Sequence, residues 1–254
     1  MQKLIQILCL KVYRAATASR LSRTGVGKRL FVSVYDFYKE CFEAEDAEAL
    51  RTWARPGTTV IDVGANMGFF TVRFARWVGP AGRVIAVEPE TENLRLLRHR
   101  LERSGLGVNV DVIEGVAAEE SGMLRLAINA FHPADHRIGE QGLAVRAWTI
   151  DELVAARGWP AISLIKIDVQ GAEVRVLRGA RATIARFHPR LFVEVDDRAL
   201  EEAGFSADLL FDEIERHGYR PYDPAEPSVP LSRRKAGLRR RALGYADYLF
   251  AAGE

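Results

Sequence analysis

At 254 residues and 48% hydrophobic content, the chain can bury one sizeable core and at most a small second unit. A net charge of +2 excludes a global field that would draw it onto nucleic acid or an anionic membrane. The two cysteines, Cys9 and Cys41, form neither a disulfide framework nor a metal-ligand spacing; with no secretion signal, they point to a reducing interior, by default the cytoplasm.

The first segment, Leu4 to Leu10, is apolar but interrupted by Gln6, followed at once by Lys11, and too short to span a bilayer. Lys3, Lys11, Arg14 and Arg20 surround Leu4, Ile7, Leu8 and Val12 in the pattern of an amphipathic helix. Such a helix more often packs on its own domain than on lipid, so peripheral membrane contact through residues 1–20 is the less favoured of its two readings. Residues 1–55 are read as a helical extension and 56–254 as one domain.

After the turn signal Pro56-Gly57, the pattern predicts a buried strand over Thr58–Val63 and a helix over Phe69–Trp77. A break at Gly79-Pro80-Ala81-Gly82 leads to a strand over Arg83–Val87 and a helix over Asn93–Arg103. Val108–Ile113 and Met123–Ile128 read as further strands. Ile162–Val169, Ala172–Phe187 and Leu191–Val195 then repeat strand, helix, strand. This alternation predicts an open α/β sandwich with a mostly parallel sheet, whose ligands bind beyond the carboxyl ends of the strands.

The first strand runs into Asp62-Val63-Gly64-Ala65-Asn66-Met67-Gly68, and the second ends at Glu88-Pro89. A glycine turn followed by a strand-end acid is the two-part signal of a nucleoside site, the acid meeting the ribose hydroxyls. Dinucleotide sites share it but require glycine where this chain has Asn66, because the backbone there approaches a pyrophosphate. Asp62 would repel a pyrophosphate but can hydrogen-bond an ammonium, which favours a nucleoside carrying a cation.

Val60 to Thr71, Val84 to Pro89, and above all Ile165-Lys-Ile-Asp-Val-Gln-Gly-Ala-Glu173 with Val176-Leu-Arg-Gly-Ala180 resemble the FkbM family of S-adenosylmethionine-dependent methyltransferases. Leu191 to Val195 and, more loosely, Trp148 to Leu153 extend the likeness over residues 57–196. The resemblance implies a class I methyltransferase fold, Rossmann-like, with a seven-stranded sheet and helices on both faces. It implies S-adenosyl-L-methionine as cofactor, held by Asp62, Gly64, Ala65, Asn66, Gly68, Glu88 and Pro89. It also implies methylation of a hydroxyl on a glycan, polyketide or other small natural product. Gln170 departs from the glutamate that many relatives carry there. A non-catalytic S-adenosylmethionine binder and a nucleotide-dependent oxidoreductase are the competing classes.

For the transfer itself, Asp168 at a strand end is expected to orient or deprotonate the acceptor, with capping of the following helix as its alternative role. Glu173 suits the first turn of that helix. His136, with Asp135 beside it, is a candidate general base in a loop insertion, or an ordinary exposed histidine. Lys166, in an apolar strand, needs an acidic partner, and Glu194 is the expected one. Asp168, Glu194 and Asp196 suit a hard cation by type, but no metal is expected. The basic run Arg233–Lys235 and Arg239–Arg241 reads as a solvated helix face rather than a nucleic-acid or anionic-acceptor surface. No feature sets an oligomeric state.

Overall fold

The computed structural model describes residues 25–42, 44–127, 137–139 and 142–253. The amphipathic segment 1–20 lies outside them. Helices α1 (Gly25–Phe42) and α2 (Ala44–Ala49) precede β1 (Thr59–Val63), α3 (Phe69–Val78), β2 (Arg83–Glu88), α4 (Thr91–Ser104) and β3 (Val110–Glu114). Next come β4 (Val116–Ala117), β5 (Gly122–Ala127), β6 (Arg137–Ile138), β7 (Leu143–Trp148), α5 (Ile150–Ala155) and β8 (Ile162–Ile167). The chain continues through α6 (Glu173–Arg178), α7 (Arg181–Phe187), β9 (Arg190–Asp196), α8 (Asp197–Glu202) and α9 (Ala207–Glu215). It closes with β10 (Tyr219–Asp223), β11 (Glu226–Pro230), α10 (Arg233–Leu243) and β12 (Tyr245–Ala252).

The main sheet has the order β11-β10-β12-β9-β8-β1-β2-β3. From β3 to β9 all neighbours are parallel, and β12, β10 and β11 attach antiparallel. Every side chain of β1 and β8 is buried, as a parallel sheet covered on both faces requires. Alternation divides the core in two. Ile61, Val63, Ile85, Val87, Ile165 and Ile167 face α5, α6, α7 and α9, whereas Val60, Val84, Ala86 and Leu164 face α2, α3 and α4.

Three expectations change. The sheet has eight strands rather than seven, because β11 folds back on β10 as an extra edge. It carries Pro227 and Pro230 and is exposed along its length, which only an edge strand tolerates. The strand expected over Met123–Ile128 is β5, which belongs to a separate four-stranded sheet, β4-β7-β5-β6, with its own small core of Val116, Ala118, Leu126 and Ala147. The single helix expected over Ala172–Phe187 is two, α6 and α7, parted at Gly179-Ala180.

The break coincides with a close approach of the small sheet. A Cβ on Gly179 would lie 2.0 Å from the Ala118 carbonyl oxygen, so the small sheet and α6 meet only where a side chain is missing. The Gly179 carbonyl accepts from the Asp151 amide, tying α5 to the same point. The basic run is not a free face: in α10, Arg233 pairs with Asp212 and Glu215, Arg239 with Asp223, and Arg240 with Asp197. Arg234, Lys235 and Arg241 remain exposed.

Gly179→Ala will force the small sheet off α6 and lower unfolding stability in urea by ~1–3 kcal/mol, the usual range for overpacking; a wild-type denaturation midpoint would refute the close approach.

Candidate functional site

Sheet order reverses at β1, whose neighbours β2 and β8 continue in opposite directions, so a crevice opens beyond the carboxyl ends of these three strands. A cleft open to solvent occupies it. Gly64, Ala65 and Asn66 form its floor. Glu88, Pro89 and Asn93 stand at one end, and Asp168, Gln170 and Glu194 at the other.

Gly64 adopts φ +77°, and a Cβ there would sit 1.9 Å from the Asp168 carbonyl oxygen, so only glycine lets β1 leave the sheet past the end of β8. Asn66 has φ +50°, a conformation asparagine tolerates better than most residues. Its amide donates to Glu88 Oε2 at 2.8 Å, and its own Oδ1 accepts from the Met67 amide at 2.7 Å. The Gly64 and Ala65 amides donate to the Val87 carbonyl and the Gly68 amide to the Ala65 carbonyl. Each backbone N–H from Gly64 to Gly68 therefore has an internal acceptor, leaving this turn poorly suited to cradle a phosphate.

Glu88 is buried at the end of β2. It accepts from the Asn66 amide, the Glu90 amide at 3.0 Å and Asn93 Nδ2 at 3.2 Å. Burial pushes its carboxyl up to about 7 despite these donors. Glu90 caps α4 through the Asn93 amide, so the strand end and the helix start are locked together around this carboxylate.

Asp62 and Lys166 are cross-strand partners in the β1–β8 register. Asp62 is wholly buried and Lys166 only 3% exposed. The Lys166 ammonium donates to the Gly64 carbonyl at 2.9 Å and lies 3.5 Å from Asp62 and 3.3 Å from Asp168. Burial alone would lower its pKa, but the two carboxylates raise it. Its expected partner, Glu194, is not the one it uses. In register, Lys166 lies opposite Phe192 of β9, which carries Glu194 two residues on, toward Asp168. Asp62, read as a cofactor contact, sits beneath the floor: its Oδ2 accepts from Thr71 Oγ1 at 2.6 Å, and it does not line the cleft.

Asp168 does line the cleft. Burial works against its ionisation, but Lys166 holds its carboxyl below the ordinary value. It does not cap α6, whose first residue follows Ala172 without a side-chain cap. Glu173, the first residue of α6, reaches back to the preceding turn, accepting from the Val169 amide at 3.3 Å and the Gly171 amide at 3.1 Å. Gln170, at φ +52°, donates to Glu194 at 2.7 Å and to Asp168 at 3.4 Å. Burial, Asp168 and the facing Asp247 push the Glu194 carboxyl well above its usual range.

Of the residues named from sequence, Gly64, Ala65, Asn66, Glu88, Pro89 and Asp168 line one cleft. Gly68 lies behind it, where a Cβ would meet Leu97 of α4 at 2.4 Å. His136, with His132 and Asp135, lies outside the described residues. Asp196 turns away to cap α8 through the Arg198 and Ala199 amides. Among the described residues no cluster of three acidic, histidine or cysteine side chains is placed to hold a metal. Sequence reasoning missed Tyr35 and Lys39, which reach the cleft from α1, and Asn93, whose signal was its place in the first turn after the strand-end acid.

The model of the methyltransferase FkbM domain family matches residues 62–221, well over half of the chain. An AMB antimetabolite synthetase from Pseudomonas aeruginosa is 28% identical over 208 residues, 65% of this chain but only 10% of that protein. The 31-O-demethyl-FK506 methyltransferase FkbM of Streptomyces tacrolimicus is 26% identical over 200 residues, 65% of this chain and 74% of its own length. The crystal structure of methyltransferase FkbM from Methylobacillus flagellatus superposes with a TM-score of 0.50 at 17% identity, covering 98% of this chain and 59% of that one.

Replacing Lys166 with methionine strands Asp62 in the core without its cation, and by the behaviour of broken buried pairs will cost ~3–5 kcal/mol in chemical denaturation. The double variant Asp62→Asn with Lys166→Met will recover part of that loss; if it is no more stable than the single variant, the pair is not coupled.

Proposed function

The chain belongs to the FkbM methyltransferase family, and from that membership we infer that it transfers a methyl group from S-adenosyl-L-methionine to a hydroxyl of a glycan, polyketide or other small natural product. The observation that carries this reading is the placing of two differently tuned carboxylates at opposite ends of one cleft. Glu88 suits a ribose diol, and Asp168 suits a reacting hydroxyl. The name of the Streptomyces relative, a 31-O-demethyl-FK506 methyltransferase, supports an oxygen acceptor.

The residues present fit the cofactor. The turn amides are satisfied internally, as suits a ligand without phosphate at that point, and Glu88 Oε2, which takes a single donor, the Asn66 amide, keeps acceptor capacity for a hydroxyl. When bound, S-adenosylmethionine supplies a methyl group on a sulfonium, an electrophile that needs no further activation. The protein's task would be to position the acceptor hydroxyl and to take its proton. Asp168, kept ionised by Lys166, would be the group to accept that proton. Gln170 ties Asp168 to Glu194 and keeps the carboxylate from swinging out of the cleft. Among the described residues no helix is long and apolar enough to cross a membrane.

S-Adenosylhomocysteine will raise the melting temperature and NAD will not, since only a ligand of the native state stabilises it. Labelled methyl from S-adenosylmethionine will then pass to a member of a panel of hydroxylated acceptors. Asp168→Asn will lower turnover by ~10²–10⁴-fold while S-adenosylhomocysteine affinity stays within a few-fold. Retained turnover in that variant removes Asp168 from proton transfer.

The raised carboxyl of Glu88 gives a pH signature. Ribose hydroxyls donate to its ionised form, so below about 7 binding must first expel a proton. S-Adenosylhomocysteine will therefore bind ~10-fold more tightly at pH 8 than at pH 6 by calorimetry, and Glu88→Gln will flatten the profile. An unchanged slope in the variant assigns the proton to another group.

A further inference from the structure

Between β8 and α6 the chain turns through residues 168–172, of which Asp168, Val169, Gln170 and Ala172 line the cleft. Gln170 is left-handed at φ +52°, and Gly171 follows at φ +98°. A Cβ on Gly171 would lie 2.3 Å from the Ala199 carbonyl oxygen, so only glycine lets α8 pack on the turn there. Gln170 has a Cβ, and its conformation costs free energy; such residues persist only where their surroundings hold them, and they gather at functional sites.

Glu173 is what holds this one. It is 2% exposed, and its Oε1 accepts from the Val169 and Gly171 amides, the N–H groups on either side of Gln170. Its Oε2 is buried without a hydrogen-bond partner among the described residues. Burial pushes the carboxyl up to about 7 against the amide donors, and Asp168 adds to the rise. An acid serving only the helix dipole would do so from solvent at no such cost. This one is turned inward onto the turn. With both flanking amides fixed, the Gln170 side chain enters the cleft and donates to Glu194 at 2.7 Å and to Asp168 at 3.4 Å.

We propose that Glu173 is a positioning residue for the transfer: from behind the cleft it holds the amides on both sides of Gln170, and so sets the side chain that orients Asp168 against Glu194. The proposal rests on the reading of Asp168 as the group that takes the acceptor's proton.

Amide hydrogen exchange, followed by NMR on the whole chain without ligand, tests the first half. Glu173→Ala will speed exchange at Val169 and Gly171 about 10-fold or more. The Asp168 amide, which donates to the Val63 carbonyl, will keep its rate. Glu173→Gln retains a carbonyl acceptor and will slow Val169 and Gly171 again. Unchanged rates at those two amides in Glu173→Ala, or all three rising together, overturn the proposal. Turnover with S-adenosylmethionine and the hydroxylated panel tests the second half. Glu173→Ala will lower kcat about 10- to 100-fold, the scale of a small misplacement, while acceptor KM and S-adenosylhomocysteine affinity stay within a few-fold. Glu173→Gln will restore most of the rate, and adding Gln170→Ala to Glu173→Ala will cost little more, since both act through one bridge. A wild-type kcat in Glu173→Ala, or a Glu173→Gln variant equally slow, sinks the positioning role. Wild-type protein that binds S-adenosylhomocysteine yet methylates no acceptor overturns the hydroxyl-transfer reading, and the exchange rates still decide whether Glu173 holds the turn.

Discussion

Beneath the glycine turn, a single buried ammonium joins parts of the chain that are distant in sequence. Lys166 reaches the carbonyl of Gly64 on β1's exit, the core carboxylate of Asp62 and the cleft carboxylate of Asp168. Without a cation at that point the two carboxylates would face each other in a low-dielectric interior, and the turn carbonyl would lack this donor. The turn takes its shape around this contact: Gly64 passes the Asp168 carbonyl at a distance that admits no side chain. Asn66 then swings its amide to Glu88, and the floor of the site is complete.

From that anchor the charges are graded across the cleft. Asp62 is sealed in the core, Asp168 is exposed to the cleft but held ionised, and Glu194 is pushed toward its protonated form by its neighbours. Glu88, separated from these by the turn, is raised by burial and tempered only by neutral donors. Four carboxylates thus have four environments, although nothing in their residue type distinguishes them. Alternation along parallel strands produces this arrangement, since Lys166 and Asp168, and Phe192 and Glu194, sit two residues apart on one face.

Much of the central sheet was legible because it obeys one rule. Continuous apolar runs such as Val60-Ile61 and Ile162–Ile167, separated by helical spacing, are what a doubly covered parallel sheet requires. The rule gives out where strands are covered on one face only. The small sheet built on β5 and β7, and the antiparallel end formed by β10, β11 and β12, have mixed patterns such as the buried-exposed alternation of β10. Gly179 shows a different limit. Helical spacing runs on through residues 172–187, and the break falls where a carbonyl of the small sheet passes Gly179, an approach that sequence does not place there.

Local spacing was enough to bring the glycine turn and Glu88 to one cleft: they lie on one strand-helix-strand unit whose geometry is set over 30 or so residues. The same applies to membership of a methyltransferase family, which rests on contiguous motifs. Partnership was decided only by the tertiary structure. Lys166 chose Asp62 and Asp168 over Glu194 because strand register, which no single strand contains, put them within reach. Lys39 and Tyr35 entered the site from a helix that the motifs leave out, because packing against α3 and α4 turns that face inward. Charge pairing inside a protein depends on distances of a few ångströms across elements, and those distances exist only once the sheet has formed.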